Sequence, residues 1–297
     1  MPGPSIGAPV PEGDTVLAAA NRLHKILANA GLTQIELRWP TVPPHVLDGR
    51  QIIEVGAYAK HLLMRFDDGQ TLRTHLKMDG QWKITPATGR PATGSPYARA
   101  ILGTAQWTCT GYRLGMLDLW QTAQEPVQLA HMGPDVLADS FVPSPLLESA
   151  RTDPARFLAP RLSHAGLGMA NQKISDEGWL LGLERFTHQR QDRPIAETLL
   201  DQTVVSGIGT IFMAEGLFKH RINPWRALAD VPLEPLLASI RANLIRGVIF
   251  PMRGRIIHVH GKQGQPCVRC GSPIARELVG PPLKERPAFF CPTCQPE

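Results

Sequence analysis

The chain has 297 residues, of which 43% are hydrophobic and 19% charged, so it is long enough to bury a core and to divide into two or three parts. Lysines and arginines number 31 against 26 aspartates and glutamates, a mild excess that suits a polyanionic partner but is equally typical of an ordinary basic protein. No apolar run approaches the roughly 18 residues that span a bilayer, and residues 1–10 do not resemble a secretion signal, so we expect a cytoplasmic protein with no membrane partner.

The first predicted element is a helix that begins just after Pro11 and Glu12. Gly13 or Asp14 is a suitable N-cap, apolar residues then recur three or four positions apart, and Gly31 is a suitable stop. Pro11 and Glu12 would therefore precede the positive end of a helix dipole, which favours an anion such as a phosphodiester. Many capped helices begin in this way without doing chemistry, so the position alone does not decide the function.

Residues 34–120 contain short apolar segments separated by turn residues, and this spacing is typical of an antiparallel sandwich or barrel. Asp67-Asp68-Gly69 is a hairpin signal, and the Pro- and Gly-rich residues 86–96 predict a loop. The predicted strands are 35–39, 52–58, 62–66, 71–76, 82–85, 97–102, 105–109 and 113–119.

After Pro126 the strand pattern fades and helical periodicity replaces it. Residues 163–178 are polar, contain glycine and predict a loop. A β-rich first half thus gives way to an α-rich second half, which indicates the α+β class. The predicted helices are 143–150, 154–162, 179–184, 195–201, 210–219 and 233–248.

Four of the five cysteines are concentrated near the end of the chain. Cys267-Val268-Arg269-Cys270 is followed, after 20 residues, by Cys291-Pro292-Thr293-Cys294, which is the paired spacing of a tetrahedral zinc ribbon. We expect one structural zinc ion, which would fix a hairpin too small to fold alone. Two disulfides are the competing interpretation, and the lack of a secretion signal argues against them. The segment between the pairs carries three residues suited to phosphate: Arg276, Lys284 and Arg286.

Residues 195–215 predict a helix, a tight glycine turn and a second helix. Gly207 and Gly209 come just before the second helix, at Thr210, where backbone N–H groups could meet a phosphate without a Cβ in the way. Turns of this kind between helices often serve packing alone, and the glycines by themselves leave both interpretations open.

Together these segments resemble the formamidopyrimidine-DNA glycosylase and endonuclease VIII family, and the resemblance extends from Pro11 to Gln295. Six separate matches occur in the order that the family shows. They are Pro11-Glu12-Gly13-Asp14, Ala59-Lys60-His61-Leu62 on a strand, His75-Leu76-Lys77-Met78-Asp79-Gly80, Met132-Gly133-Pro134-Asp135, the helix–two-turn–helix from Leu200 to Glu215, and Phe290-Cys291-Pro292-Thr293-Cys294-Gln295.

The resemblance implies a bifunctional DNA glycosylase and abasic-site lyase of base-excision repair, which flips a damaged nucleotide out of duplex DNA. It also implies a monomer associated with the nucleoid. We expect residues 1–10 to be a non-native or cleaved extension, residues 11–140 to form a β-sandwich catalytic domain, residues 141–261 a helix–two-turn–helix domain, and residues 262–297 a zinc ribbon.

Four residues match catalytic positions of the family. Pro11 would be the amine nucleophile that forms an iminium with the sugar, and Glu12 would shuttle the proton during ring opening. Lys60 would bind the phosphate beside the lesion and assist catalysis, and its alternative is a solvated strand lysine. Arg286, five residues before Cys291, would contact the phosphates that flank the flipped nucleotide and support a second elimination.

Other positions match DNA-binding residues, with departures. Met78 would fill the void in the base stack, although a lone apolar residue could equally belong to a core. Most relatives have asparagine where this chain has Thr210, and threonine where it has Ala288. The family's Arg-Arg-Phe-Gly loop is not evident, and the nearest candidate is Tyr112-Arg113-Leu114-Gly115. These departures favour the endonuclease VIII branch of the family and oxidised pyrimidines as substrates. They leave open whether the abasic strand is cleaved by β- or by β,δ-elimination.

The nucleophile assignment requires a free amine at Pro11, because an internal proline is a tertiary amide without a basic lone pair. We hypothesise that Val10 is a GTG initiation codon, so that removal of the initiating methionine would expose Pro11. Two rivals remain, a damaged-DNA-binding protein that has lost its chemistry behind the extension, and a zinc-ribbon adaptor for nucleic acid without lesion recognition, which leaves the Pro11-Glu12 pair unexplained.

Overall fold

The computed structural model describes residues 10–43, 45–88, 94–161, 174–251 and 253–297. The chain divides into two compact units. The first unit comprises residues 1–128 and 161–171, and the second comprises residues 129–160 and 172–297. In the described ranges, no helix has both the length and the apolar character needed to cross a membrane.

The first unit opens with helix α1, Gly13–Leu27, whose apolar face packs on the sheet that follows. The helix is capped by Glu12 rather than by Asp14 or Gly13, and it ends before Gly31. The reason for the early end is Asn29, which adopts a left-handed conformation (φ 56°) and donates its N–H to the Ile52 carbonyl at 2.7 Å.

Two four-stranded antiparallel sheets follow this helix, which confirms the predicted sandwich. One sheet has the order β1-β6-β7-β5 and the other the order β2-β3-β4-β8. All six residues of β3 are buried, as expected for an inner strand whose two faces are both covered. The strands are β1 Leu32–Leu37, β2 Ile52–Tyr58, β3 His61–Phe66, β4 Gln70–His75, β5 Gln81–Pro86, β6 Ala98–Thr104, β7 Trp107–Tyr112 and β8 Met116–Gln121.

The strand predicted at 113–119 begins three residues late. Arg113 has a left-handed backbone (φ 48°), and the Gly115 N–H bonds the His75 carbonyl at 2.9 Å, so residues 113–115 form a loop instead. The strand predicted at 105–109 is displaced as well, because Gln106 lies in the turn before β7 and donates its N–H to the Thr104 hydroxyl at 3.3 Å.

The second unit contains most of the helices and confirms the predicted helical region. The helix expected at 154–162 ends at Phe157, and most of the loop expected at 163–178 lies outside the described residues. Residues 144–146 form a 3-10 turn before α3. The remaining helices are α2 Glu125–Leu129, which follows β8, α3 Leu147–Thr152, α4 Pro154–Phe157, α5 Glu177–Thr187, α6 Ile195–Leu200, α7 Thr210–His220 and α8 Leu233–Ile249.

A short segment at residues 133–136 braces the turn between α6 and α7. The Gly133 N–H donates to the Gln202 carbonyl at 2.8 Å, and the Ser206 hydroxyl donates back to the Gly133 carbonyl at 2.8 Å. A Cβ at Gly133 would lie 2.5 Å from the carbonyl group of Val204, so only glycine fits this close approach. The segment Met132-Gly133-Pro134-Asp135 thus has a packing role inside the unit.

The chain ends in an antiparallel hairpin of β9, Ala275–Val279, and β10, Arg286–Phe290, flanked by the two cysteine pairs. Gln295 fixes this segment to the loop after α7. Its side-chain amide donates to the Ile222 carbonyl at 2.7 Å, and its side-chain oxygen accepts the Cys291 N–H at 2.9 Å. The Arg269 guanidinium adds a bond of 2.6 Å to the Phe218 carbonyl at the end of α7.

Candidate functional site

Pro11 and Glu12 occupy the N-terminal end of α1. Glu12 is the N-cap residue, its side chain is 1% exposed, and its carbonyl accepts the Val16 N–H at 3.1 Å. Pro11 is partly exposed. A carboxylate buried at this end of a helix lies in the favourable field of the helix dipole, next to a proline that solvent can reach.

Lys60 lies in the two-residue turn between β2 and β3 rather than on a strand, because Tyr58 and His61 form the last pair of that ladder. Ala59 makes the turn with a left-handed backbone (φ 53°). The turn leaves the Lys60 side chain partly exposed at the end of the sheet, where a lysine can reach an anion.

The positive charge of Lys60 affects the pKa of His75, a residue for which the sequence suggested no role. Burial, together with the positive charges of Lys77, Lys60 and Arg73, lowers the pKa of His75 to about 4. The neutral imidazole accepts the Lys77 N–H at Nδ1 over 2.8 Å, and its ring meets the His61 ring edge-on with centroids 4.9 Å apart. His75 therefore stays neutral at pH 7 and shapes the start of the β4–β5 turn.

Met78 and Arg113, two predicted DNA-binding residues, lie on neighbouring loops. Met78 is in the β4–β5 turn, and its side chain is 64% exposed. Asp79, the next residue, accepts a hydrogen bond of 3.1 Å from the Arg113 guanidinium. The Gly80 N–H donates to the Leu76 carbonyl at 2.9 Å and closes the turn. The exposure of Met78 excludes the alternative that it belongs to the core.

The glycine turn before α7 differs from the expectation at Gly207. Its amide donates to the Gln202 side-chain oxygen at 3.1 Å, so it is not an open donor for a phosphate. Gly207 is glycine for a conformational reason, since its φ is 99°. Gly209 caps α7 with an extended backbone, and Thr210, partly exposed, begins the helix.

Glu215, in the middle of the apolar helix α7, has a role that the sequence analysis missed. Its carboxylate accepts the backbone N–H groups of His258, Val259 and His260 at 2.7, 2.9 and 2.8 Å. Three such bonds satisfy a charge that is 4% exposed and hold residues 258–260 against the helix. The only signal in the sequence was a single glutamate among apolar helical residues.

The four cysteines of the two pairs converge, with their sulfur atoms within 4.8 Å of one another. The Sγ atoms of Cys267 and Cys294 are 4.0 Å apart, and those of Cys270 and Cys291 are 3.4 Å apart. A tetrahedral zinc site with Zn–S bonds of about 2.3 Å requires sulfurs about 3.8 Å apart, whereas a disulfide requires about 2.05 Å. The arrangement thus fits one metal ion bound by four thiolates, and all four thiols are free.

Backbone donors support the same cluster. The Arg269 N–H points to Cys267 Sγ and the Cys294 N–H to Cys291 Sγ, each at 3.4 Å. Hydrogen bonds from Ser272 lower the pKa of Cys270 to about 6, while desolvation and the neighbouring sulfurs raise the pKa of Cys294 to about 12. Sulfurs this close favour a bound cation, because four thiolates repel one another without one.

Arg286 begins β10, pairs with Val279 and is exposed. Two residues further on, Ala288 is fully buried. Arg286 belongs to the second unit, whereas Pro11, Glu12 and Lys60 belong to the first, so the predicted catalytic residues form two groups, one in each unit.

Two family models match the chain. The formamidopyrimidine-DNA glycosylase N-terminal domain matches residues 10–118, and the formamidopyrimidine-DNA glycosylase H2TH domain matches residues 183–248. The first match therefore begins at the residue before Pro11.

Among similar proteins, a probable endonuclease 8 2 of Streptomyces coelicolor is 35% identical, over 96% of this chain and 94% of the relative. The endonuclease 8 2 of Mycobacterium tuberculosis is 31% identical, over 96% of this chain and 100% of the relative. The fold is similar to that of Lactococcus lactis formamidopyrimidine-DNA glycosylase bound to abasic-site DNA, with a TM-score of 0.71, 20% identity and coverage of 97% of this chain and 100% of that one.

Proposed function

The chain belongs to the formamidopyrimidine-DNA glycosylase and endonuclease VIII family, and from this membership we propose that it is a DNA-repair glycosylase and abasic-site lyase whose nucleophile is the amine of Pro11. The observation that carries the nucleophile assignment is the placement of Pro11 directly before Glu12, which is buried at the N-terminal end of α1.

The proposed reaction begins when the Pro11 nitrogen attacks C1′ of the damaged nucleotide. The N–C1′ bond forms, the bond from C1′ to the base breaks, and the leaving base takes up the proton that the amine nitrogen loses. Glu12 moves a proton to the ring oxygen as the sugar opens, which yields an iminium. Because a secondary amine gives a permanently cationic iminium, the C2′ proton becomes acidic, and its removal expels the 3′ phosphate by β-elimination.

The reaction needs a free secondary amine, so the working enzyme begins at Pro11. In that form the nitrogen is a secondary amine, and its unprotonated form has the lone pair that attacks C1′. The family match that starts at residue 10 supports this assignment.

Charged and polar side chains in both units would bind the DNA. Lys60 and Arg286 are exposed or partly exposed cations, and Thr210 offers a hydroxyl at the start of α7. Each phosphate contact releases counterions, so affinity should fall steeply with salt concentration. Met78 and Arg113 would fill the gap that the flipped nucleotide leaves.

We assign zinc to the four-cysteine cluster, since four thiolates whose sulfur atoms lie within 4.8 Å of one another suit this ion. Its contribution would be structural, because a closed shell of sulfurs leaves no position for substrate. The cluster would hold Arg286 on a rigid hairpin.

Oxidised pyrimidines are the proposed substrates. The relatives at 35% and 31% identity carry the name endonuclease 8, which supports this side of the family. A panel of duplexes with oxidised pyrimidines or 8-oxoguanine would rank the substrates. Faster excision of 8-oxoguanine would contradict the assignment.

Borohydride trapping on abasic DNA tests the nucleophile. A protein that begins at Pro11 should form a covalent adduct that mass spectrometry locates at Pro11, whereas the 297-residue chain, in which Pro11 is internal, should not. An adduct at Lys60 would reassign the nucleophile. DNA binding without any adduct would favour a non-catalytic damage-binding protein. N-terminal sequencing of the native protein would check the start directly.

A further inference from the structure

An enzyme that flips a nucleotide leaves a gap in the base stack, and proteins commonly fill such gaps with apolar or aromatic side chains. In the first unit two candidates for this role, Met78 and Arg113, extend from neighbouring loops. Neither is aromatic. Leu114, beside Arg113, is 3% exposed, and it packs so closely on Gly111 that a Cβ there would lie 2.7 Å from its Cδ1 atom. Leu114 therefore cannot reach DNA.

Tyr97, which comes just before β6, places an aromatic ring beside Arg113. The ring lies 4.4 Å from the Arg113 guanidinium carbon, within the range of a cation–π contact. The Tyr97 carbonyl accepts the Arg113 N–H at 2.8 Å, so the two backbones are also joined. Although the guanidinium covers part of the ring, 51% of Tyr97 remains exposed.

The ion pair with Asp79 joins this arrangement to the Met78 turn. Arg113 and Asp79 are 3.1 Å apart with side chains that are 50% and 62% exposed, so the pair is worth little on its own. Its effect is geometric. Together with the contact between Arg113 and Tyr97, it links three loops that are separate in the sequence, those at Asp79, Tyr97 and Arg113, and Met78 lies next to Asp79.

We propose that Tyr97 stacks on a DNA base next to the flipped nucleotide and supplies the aromatic surface that the loop at Arg113 lacks. The proposal rests on the proposed function, since it requires a nucleotide to be flipped. A phenol ring stacks on any base, so Tyr97 contributes affinity for a disrupted stack without sequence preference.

The test measures dissociation constants by fluorescence anisotropy, with a duplex that contains a tetrahydrofuran abasic-site analogue and with an undamaged duplex of the same sequence. In protein that begins at Pro11, Tyr97→Ala should weaken binding to the analogue by roughly 5- to 150-fold, the range that base–aromatic stacking supplies. Tyr97→Phe should bind like the unmodified protein, and the undamaged duplex should be bound equally by all three.

Trp107→Ala is the matched control. Trp107 is an aromatic residue on β7, 38% exposed, and it pairs with Pro86 at the end of the ladder away from Tyr112. Its loss should leave both affinities unchanged. An equal loss of affinity in the Trp107 and Tyr97 variants would overturn the assignment of a specific contact.

A double-mutant cycle separates stacking from support of Arg113. If Tyr97 stacks on a base, Tyr97→Ala should still weaken binding in the Arg113→Ala background. If Tyr97 only positions Arg113, its removal there should have no effect, and the proposal would be refuted. The tetrahydrofuran analogue has no aldehyde to trap, so these affinities do not depend on the lyase reaction. Failure of borohydride trapping with the unmodified protein would therefore refute the proposed lyase chemistry and leave the stacking of Tyr97 untouched.

Discussion

The β-sandwich and the cysteine hairpin are stabilised in different ways. In the sandwich every residue of β3 is buried, and a charged network centred on Arg65 lies inside, at 2% exposure. In the hairpin, Leu278 and Leu283 are 53% and 99% exposed. Extensive apolar burial and the Arg65 network order the sandwich. The hairpin buries a smaller apolar cluster, at Val279, Ala288 and Phe290. We therefore expect it to depend more on its four sulfurs and on the bonds of Gln295 and Arg269 to the loop after α7 and to the end of that helix.

The largest effect should follow removal of the proposed zinc ion from the hairpin. Structural zinc contributes on the order of 10 kcal/mol or more to folding in zinc-finger peptides, because the site forms only in the folded state. Cys291→Ser, or a chelator, should therefore abolish hydrogen-exchange protection of β9 and β10. Protection of β2, β3 and β4 should remain.

Metal analysis of the purified protein provides the control, with about one zinc ion per chain expected for four thiolate ligands. If the amides of β9 and β10 stayed protected after the metal had gone, the hairpin would be stabilised by packing alone and the contrast between the two regions would disappear.

On the sandwich side, the largest effect should come from Arg65. Its guanidinium makes hydrogen bonds of 3.0 and 2.7 Å to Glu125 and an ion pair with Glu54 at an N–O distance of 3.0 Å, and both carboxylates are buried. Arg65→Met should reduce the free energy of unfolding by about 3–5 kcal/mol, because buried negative charges lose their partner. Chemical denaturation would measure this loss.

Arg38→Met is the matched control, since Arg38 pairs with Glu36 at 2.6 Å but both side chains are about a third exposed, at 31% and 30%. This variant should lose no more than about 1 kcal/mol. Similar losses in the two variants would show that burial of the Arg65 network does not matter.

These two regions also show what the sequence predicts and what it does not. The cysteine spacing predicts the cluster because its ligands lie close together in the chain, and residue alternation predicts the strands because each pattern is local. The partners of Arg65 and of Glu215 could not be predicted, because they are distant in sequence and meet only through packing. The contact between Tyr97 and Arg113 could not be predicted for the same reason.

Acid should affect the sandwich through His75, and its expected effect is smaller than that of Arg65→Met. Burial and neighbouring positive charges lower its pKa in the folded state from 6.5 to about 4. Between these two values the unfolded state binds a proton that the folded state does not, so stability falls as the pH decreases from 6.5 to 4. The contribution lost is on the order of 3 kcal/mol.

His75→Asn removes this titration while its side-chain oxygen can still accept the Lys77 N–H. Denaturation curves at pH 7.5 and pH 4.5 should show a smaller loss of stability for the variant than for the unmodified protein. Parallel losses would mean that other groups, such as carboxylates or the cysteine thiolates, account for the acid sensitivity.

The smallest effect concerns Ala288 in the hairpin, where the family resemblance leads us to expect threonine. Ala288 is fully buried opposite Glu277, so Ala288→Thr would force two extra atoms into a filled space and reduce stability by about 1–3 kcal/mol. Ala275→Thr, at a partly exposed position of β9, should be neutral. If Ala288→Thr instead kept full stability and tightened DNA binding, the side chain at position 288 would have to reach DNA. The packing of the hairpin would then be less fixed than that of the sandwich.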